Sequence, residues 1–400
     1  MLDVASTFGL AVRSTMNETP PDVLIAGAGP AGSVAALVLA RAGARVQVID
    51  RARFPRDKLC GDTINPGTLA ILRRLGVSTE VERRGVQLRG MLVSGLCGVS
   101  VQGDYGPSVI GTYGLAIRRR ELDMILVTAA VDAGAKFDDE VTVCGPLVDG
   151  GPDGVRIRGL RVMGRGKRDV RVPARLTIAA DGRRSIVATA LGMSHHPSRP
   201  RRWVVGGYFE DVKGLRSYGE MHVRRDHFLG VAPLPEQLTN ACVVSAARDR
   251  FANPNALLQT AITTDSSLRD RFAGAQLIGP VISMGPLAVD ATRAELPGLL
   301  LAGDAAGFID PITGDGIRFA VRGGELAART ALDMLATDRW DVHTRLAQLR
   351  DAEFGPKWRF NRAVRVLVGS RWGVQAGTLG ALIAPGVLRR VIRYAGDTHL

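Results

Sequence analysis

The chain has 400 residues, of which 46% are hydrophobic and 23% charged, an ordinary globular composition long enough for more than one core. Its formal net charge is +13, yet only five of its 52 basic residues are lysines (Lys58, Lys136, Lys167, Lys213 and Lys357). No nucleic-acid reader motif accompanies the charge, so the arginine bias reads as compositional and no nucleic-acid partner is expected. Cys60, Cys97, Cys144 and Cys242 lack C-x-x-C spacing, which argues against a disulfide framework or a metal site. No run reaches the roughly 18 apolar residues of a spanning helix. Residues 1–19 read as a loose extension without a secretory pattern, with Met16 as an alternative start. The expected location is cytoplasmic, soluble or peripheral to a membrane.

The first apolar run, residues 22–27, predicts a buried strand. A glycine-rich turn and a small-residue helix follow, stopped by Gly43, and residues 45–50 form the next strand. Asn65 and Pro66 make an N-cap and first-turn pair for a helix ending near Gly76. Residues 86–115 alternate as several strands, residues 119–133 have helical spacing, and a strand-rich stretch leads to a strand at 176–180 and a helix ending near Gly192. Residues 203–250 read as long sheet strands and 255–272 as a helix. A strand at 299–302 precedes a second glycine-rich loop and a helix from about Gly316 to Ala336. The remainder, 338–395, looks helical. Helices and strands alternate at both ends of the first 335 residues around a strand-rich middle. That order predicts an α/β protein in which one dinucleotide domain is assembled from separated segments around an inserted sheet domain.

Gly27-Ala28-Gly29-Pro30-Ala31-Gly32 lies between strand and helix, with Asp50 and then Arg51 at the end of the next strand. The glycines allow a sharp turn and close approach to a pyrophosphate, the helix N-terminus offers free N–H groups, and Asp50 can accept from a ribose. Only one such fingerprint is present. Further on, Gly303-Asp304 opens a loop continuing as Asp310-Pro311-Ile312-Thr313-Gly314-Asp315-Gly316-Ile317. Taken alone, Asp315 is a favourable acid in a first helical turn, Asp181-Gly182 is a turn pair, Arg119 is an exposed basic helix start and Cys60 is a small buried residue.

The order of these segments over residues 20–335 resembles the p-hydroxybenzoate-hydroxylase-like flavoproteins. The resemblance implies an FAD site held by Gly27, Gly29, Pro30, Ala31, Gly32, Asp50, Arg51, Cys60, Gly61, Arg119, Asp181, Gly182, Gly303, Asp304, Pro311, Gly314, Asp315, Gly316 and Ile317. In it Asp304 meets the ribityl and ribose region, while backbone N–H groups near Gly314 and Gly316 face the pyrimidine edge of the flavin, where reduced flavin carries negative charge. Within that superfamily, Phe54-Pro55-Arg56-Asp57-Lys58-Leu59-Cys60-Gly61-Asp62, with its Lys-x-Cys-Gly, and Pro311 to Ile317 with Gly324-Glu325-Leu326-Ala327-Ala328 are similar to the geranylgeranyl reductase branch, which reduces isoprenoid double bonds. That branch's Tyr-x-Trp-x-Phe-Pro segment is replaced here by His227 to Pro235 (HFLGVAPLP), and the Trp-x-Trp-x-Ile-Pro segment of flavin halogenases is equally absent.

The fold expected is thus a discontinuous Rossmann-type FAD-binding domain (20–85, 112–200 and 290–336), an inserted β-sheet substrate domain (86–111 and 201–289) and a C-terminal helical region (337–400). The expected activity is transient reduction by NAD(P)H followed by reduction of a C=C bond in a lipophilic, isoprenoid-like substrate. The alternative on the same scaffold is a monooxygenase hydroxylating an aromatic or polyketide-like substrate. Cys60 is the candidate catalytic residue, set against the flavin. Of the histidines, His195 and His196 read as exposed, while His222 and His227 lie in the substrate sheet, where packing or surface roles compete with a ligand. Residues 372–388 carry no charge and are flanked by Arg371, Arg389 and Arg390, so peripheral membrane contact and packing on the core are both open to them.

Overall fold

The computed structural model describes residues 19–398, apart from positions 60, 107–111, 152–153, 165, 167, 199–201, 247–251 and 293–295. Its first sheet has five strands in the order Leu299–Leu301, Leu176–Ala179, Val23–Ala26, Val46–Ile49, Lys136–Asp138, all parallel. The central strand, Val-Leu-Ile-Ala, is buried at every position, the continuous apolar run of a strand covered on both faces. Helices Pro30–Arg41, Arg119–Asp132 and Gly316–Thr337 cover one face. An antiparallel sheet of strands Thr142–Gly151, Gly154–Met163 and Asp169–Pro173 packs on the other.

The two glycine-rich loops are far apart in the sequence but follow parallel strands of this one sheet, and they meet because small residues let them. A Cβ on Gly324 would lie 2.2 Å from the Ala31 carbonyl oxygen, and one on Gly303 would lie 2.9 Å from the Ala31 Cβ. Both are closer than packed side chains tolerate, so only glycine allows helices Pro30–Arg41 and Gly316–Thr337 to cross this tightly.

The second large sheet has seven strands in the order Gln276–Met284, Trp203–Glu210, Thr239–Ser245, His227–Pro233, Tyr218–Val223, Gly90–Ser94, Ser100–Asp104. Pairing is antiparallel except between Tyr218–Val223 and Gly90–Ser94. Alternation sorts its side chains. Val205, Leu229, Val231, Ala241 and Val243 pack under helices Pro254–Thr264 and Arg269–Phe272, while Val204, Phe228 and Val244 face Leu59, Leu287 and Phe308. The single helix expected over 255–272 is therefore two, broken at Asp265, whose carboxylate receives Arg224 and the Ser267 amide.

Three C-terminal helices close the molecule: Val342–Val368, Arg371–Ile383 and Pro385–Ala395. The first is fastened by buried Phe354 against Phe319 of helix Gly316–Thr337. The last lies on strand Ser100–Asp104, where Gly103 leaves room for Ile392. The end of the chain is tied back to helix Pro66–Arg74. Gly67 N donates to Gly396 O (3.1 Å), Asn65 donates to Ala395 O (3.3 Å), and the Lys357 ammonium donates to Tyr394 O (2.6 Å) and Asp397 Oδ1 (2.9 Å). No helix among the described residues is long and apolar enough to cross a membrane.

Candidate functional site

Gly27 has φ +95°, and a Cβ there would lie 2.5 Å from the Ala180 carbonyl oxygen, so the turn requires glycine on both grounds. A Cβ on Gly32 would lie 1.9 Å from Gly27 O, whereas one on Gly29 would meet only the Arg56 guanidinium at 3.6 Å. Gly27 and Gly32 thus shape the turn, and Gly29 leaves its outer side open to a ligand. Pro30 stands at the first position of the helix that follows, where its missing N–H costs nothing. Asp50 acts on the loop itself. Its carboxylate accepts from Ala28 N and Ala52 N, each at 2.9 Å, which holds the loop and the second strand in one conformation. Arg51 is exposed beside it.

A cationic corner adjoins this turn. Arg119 is buried rather than exposed, and donates through Nε and a terminal nitrogen to both oxygens of Asp123 (3.0 and 2.9 Å), one turn along its helix. Arg56 reaches the same carboxylate at 3.0 Å and stands 4.0 Å from Asp50. Lys58 is half-buried, and burial together with neighbouring Arg119 pulls its ammonium down to about 8, with Asp304 opposing. Arg56, Lys58 and Asp123 lie inside segments already read in the sequence, Arg56 and Lys58 just before Cys60 and Asp123 four residues after Arg119, but of this corner only Arg119 is taken there as a cofactor contact. The four-residue spacing of Arg119 and Asp123 is the local signal that could have found this corner.

The second loop supplies the opposite wall. Gly303 and Gly314 have φ of +60° and +70°, and Asp304, Pro311, Gly314, Gly316 and Ile317 line the same cavity as Gly29, Pro30, Ala31, Gly61, Arg119 and Gly182. Asp181 is anchored to the Ile186 amide (2.8 Å) at the start of the next helix, and one of its carboxylate oxygens is buried with no partner among the described residues. Asp315 departs from the first-turn expectation. Its side chain caps no helical amide but lies 3.3 Å from the Asn65 amide nitrogen and 3.4 Å from Lys357 Nζ, joining the loop to the C-terminal helices. Cys60 lies outside the described residues.

The cavity has a volume of about 740 Å³, within the usual range for a small-molecule site. At one end it is bounded by the two loops and the cationic corner, at the other by helices Val342–Val368, Arg371–Ile383 and Pro385–Ala395 through Val364, Leu367, Val374, Ala381 and Leu388. Its sheet wall carries Met221, Phe228, Cys242 and Val244. An acid also lines it: Asp62, buried and accepting from Arg119 N (2.9 Å), Tyr208 OH (3.1 Å) and Asn240 Nδ2 (2.7 Å). Burial pushes its carboxyl up to about 7 against the pull of the Arg119 amide. Asp62 closes the segment that begins at Phe54, but nothing local marks it as an acid of the cavity, because its partners lie 57 to 178 residues away.

The histidines divide as packing dictates. His195 is exposed, while His196 bonds to Ala288 O (2.8 Å) and His227 to Asp226 (2.7 Å). His222 is fully buried between Ser94 Oγ (2.8 Å) and Glu220 Oε2 (2.9 Å). Glu220 in turn receives Arg271, so this network fastens helix Arg269–Phe272 to the sheet. No group of His, Cys, Asp and Glu among the described residues could hold a metal ion.

The residues at the loop end fit an FAD. An open glycine faces a helix N-terminus and three basic side chains, as a pyrophosphate needs. Asp304 lines the cavity, where it can meet hydroxyls, Asp50 stands behind the turn on the Ala28 amide, and a broad apolar wall lies beyond.

Comparison with known proteins agrees. A family model described as an FAD binding domain matches residues 21–330. The menaquinone reductase of Mycolicibacterium smegmatis is 30% identical over 80% of this chain and 78% of its own length. Digeranylgeranylglycerophospholipid reductase 1 of Methanopyrus kandleri is 28% identical over 79% of this chain and 82% of its own. Among solved structures, a flavin-dependent brominase superposes with a TM-score of 0.82 at 20% identity, with 94% of each chain covered. That likeness concerns the fold alone.

Proposed function

Because this chain belongs to the FAD binding domain family and is an FAD-dependent oxidoreductase, we propose that it takes electrons from NAD(P)H and reduces a carbon–carbon double bond in a lipophilic, isoprenoid-like substrate. The observation that carries this reading is one continuous cavity running from the glycine-rich loops to the apolar C-terminal helices. Relatives named for menaquinone and for digeranylgeranylglycerophospholipid support a lipid. With one dinucleotide fingerprint in the sequence, the nicotinamide docks transiently. Peripheral contact with a membrane belongs to the same reading.

In this assignment the turn at Gly27, Gly29, Pro30, Ala31 and Gly32 and the N-terminus of its helix receive the pyrophosphate, with Arg56, Lys58 and Arg119 supplying positive charge. Asp50 and Asp304 accept from the ribose and ribityl hydroxyls. Gly61, Asp181, Gly182 and the Pro311–Ile317 segment enclose the ring end. When bound, FAD supplies the hydride. Reduction of an alkene also needs a proton at the second carbon. Asp62, on the cavity wall with a carboxyl that keeps its proton to about pH 7, can give it.

The test is anaerobic. Purified holoprotein should bleach on addition of NADPH or NADH, and a geranylgeranyl lipid should then restore the oxidised spectrum and gain two hydrogens by mass. Oxygen uptake that depends on substrate, with one oxygen atom gained by the product, would replace this reading with the monooxygenase.

A further inference from the structure

From Phe354 to Gly396 the sequence contains no acidic residue and eight basic ones, from Lys357 to Arg393. Lys357 is taken up by the buried Asp315 and the partly buried Asp397. Most of the remaining charge stands at the surface, where Arg359, Arg362, Arg389, Arg390 and Arg393 are exposed.

The same helices are apolar on two sides. Helix Arg371–Ile383 turns Val374, Gly377, Thr378 and Ala381 toward the cavity. At the complementary spacing Trp372, Leu379, Leu382 and Ile383 point outward, 83%, 57%, 61% and 75% exposed. Val366 and Val387 extend this outer stripe onto the neighbouring helices, at 70% and 59%. Arg359 and Arg362 share a helix face with Val366 by their spacing. A helix apolar on both sides calls for a cover on each, and the cavity accounts for the inner side only. Leu367 and Val387 line the cavity and are also exposed, so the cavity opens on this same face.

We propose that this face docks on an anionic lipid bilayer, and that the gap beside Leu367, Gly377, Gly380 and Val387 admits the apolar end of the substrate from the bilayer into the cavity. The docking rests on charge and exposure. The entry route rests also on the lipid-reductase reading above. Trp372 would sit at headgroup level with the aliphatic side chains below it and the arginines among the lipid phosphates.

The experiment is co-sedimentation of the holoprotein with vesicles of phosphatidylcholine alone, or with one-third phosphatidylglycerol, at low and high salt. Binding should require the anionic lipid and weaken with salt. Changing Arg359, Arg362 and Arg390 together to Gln should weaken it about a hundredfold, from about fivefold per basic residue. The double variant Trp372→Asp and Ile383→Asp should abolish it, with FAD content and bleaching by NADPH unchanged, since neither side chain lines the cavity. That variant should also lose turnover of a geranylgeranyl lipid held in vesicles while keeping it in detergent micelles. Equal binding to neutral vesicles, or none to anionic ones, overturns the docking, as does a dimer in solution that Trp372→Asp dissociates. Docking without reduction of the lipid in either form overturns the reductase reading instead and leaves the docking standing.

Discussion

Replacing Asp62 by Asn should flatten the pH dependence of stability. The wild-type carboxyl is buried and ionises near 7, against an ordinary 3.8. Between these values the native state keeps a proton that the unfolded chain has released. Stability therefore falls as pH rises through this window and levels off above it. Integrating the two titrations gives a loss of about 3 kcal/mol between roughly pH 5 and pH 8. Asn cannot titrate, so it removes this slope. It also disturbs the bonds from Tyr208, Asn240 and the Arg119 amide, but that penalty is independent of pH and cancels in the difference. The assay is urea unfolding of both proteins at the two pH values, read by tryptophan fluorescence at a fixed FAD concentration. Wild type should lose about 3 kcal/mol more than the variant on going from low to high pH. Parallel profiles would refute the claim that Asp62 is protonated at neutrality and remove its support as proton donor.

Asp304→Ala should weaken FAD binding by about tenfold to a hundredfold, the worth of a charged hydrogen bond. Flavin absorbance after gel filtration measures this, and an undiminished yellow protein counts against the placement of Asp304. Gly27→Ala meets both a left-handed φ and the Ala180 carbonyl; it should cost about 1–3 kcal/mol in urea unfolding of the apoprotein and lower FAD content, whereas unchanged values would show that the turn can relax. Glu325 is buried at the meeting point of Arg74, Arg322 and Arg329. Burial resists its charge, but bonds from Arg74 and Arg322 win and hold its carboxyl down at about 2. Arg74 and Arg329 are half-exposed and Arg322 keeps Glu353, so Glu325→Ala should cost about 1–3 kcal/mol, the worth of charged hydrogen bonds rather than of a stranded buried charge. A change below about 1 kcal/mol would mean that solvent already satisfies them.

Features written in short windows of the chain can be read without the fold. Strand 23–26 is legible because a strand covered on both faces needs an unbroken apolar run. Helix Pro66–Arg74 is legible because Asn65 caps it through the Thr68 amide (2.9 Å) and Pro66 presets its first turn. The glycine-rich turn is legible for the same reason, Asp50 by its place at the end of the next strand 22 residues on, and the Gly303-Asp304 loop only through the family resemblance. Other features wait on distant partners. Arg119 reads in the sequence either as an exposed helix start or as a cofactor contact; its pairing with Asp123 is local, but its burial, with its amide on Asp62 57 residues away, is not. Asp315 reads as a helix-start acid and instead meets Lys357 and Asn65, 42 and 250 residues away. Asp62 ends a segment that is legible by resemblance, but its raised carboxyl is not, since that depends on burial beside Arg119, Tyr208 and Asn240, which the chain brings together only on folding. Burial, and the charge state it imposes, belongs to the whole fold, whereas turns, caps and periodicity are settled by adjacent residues.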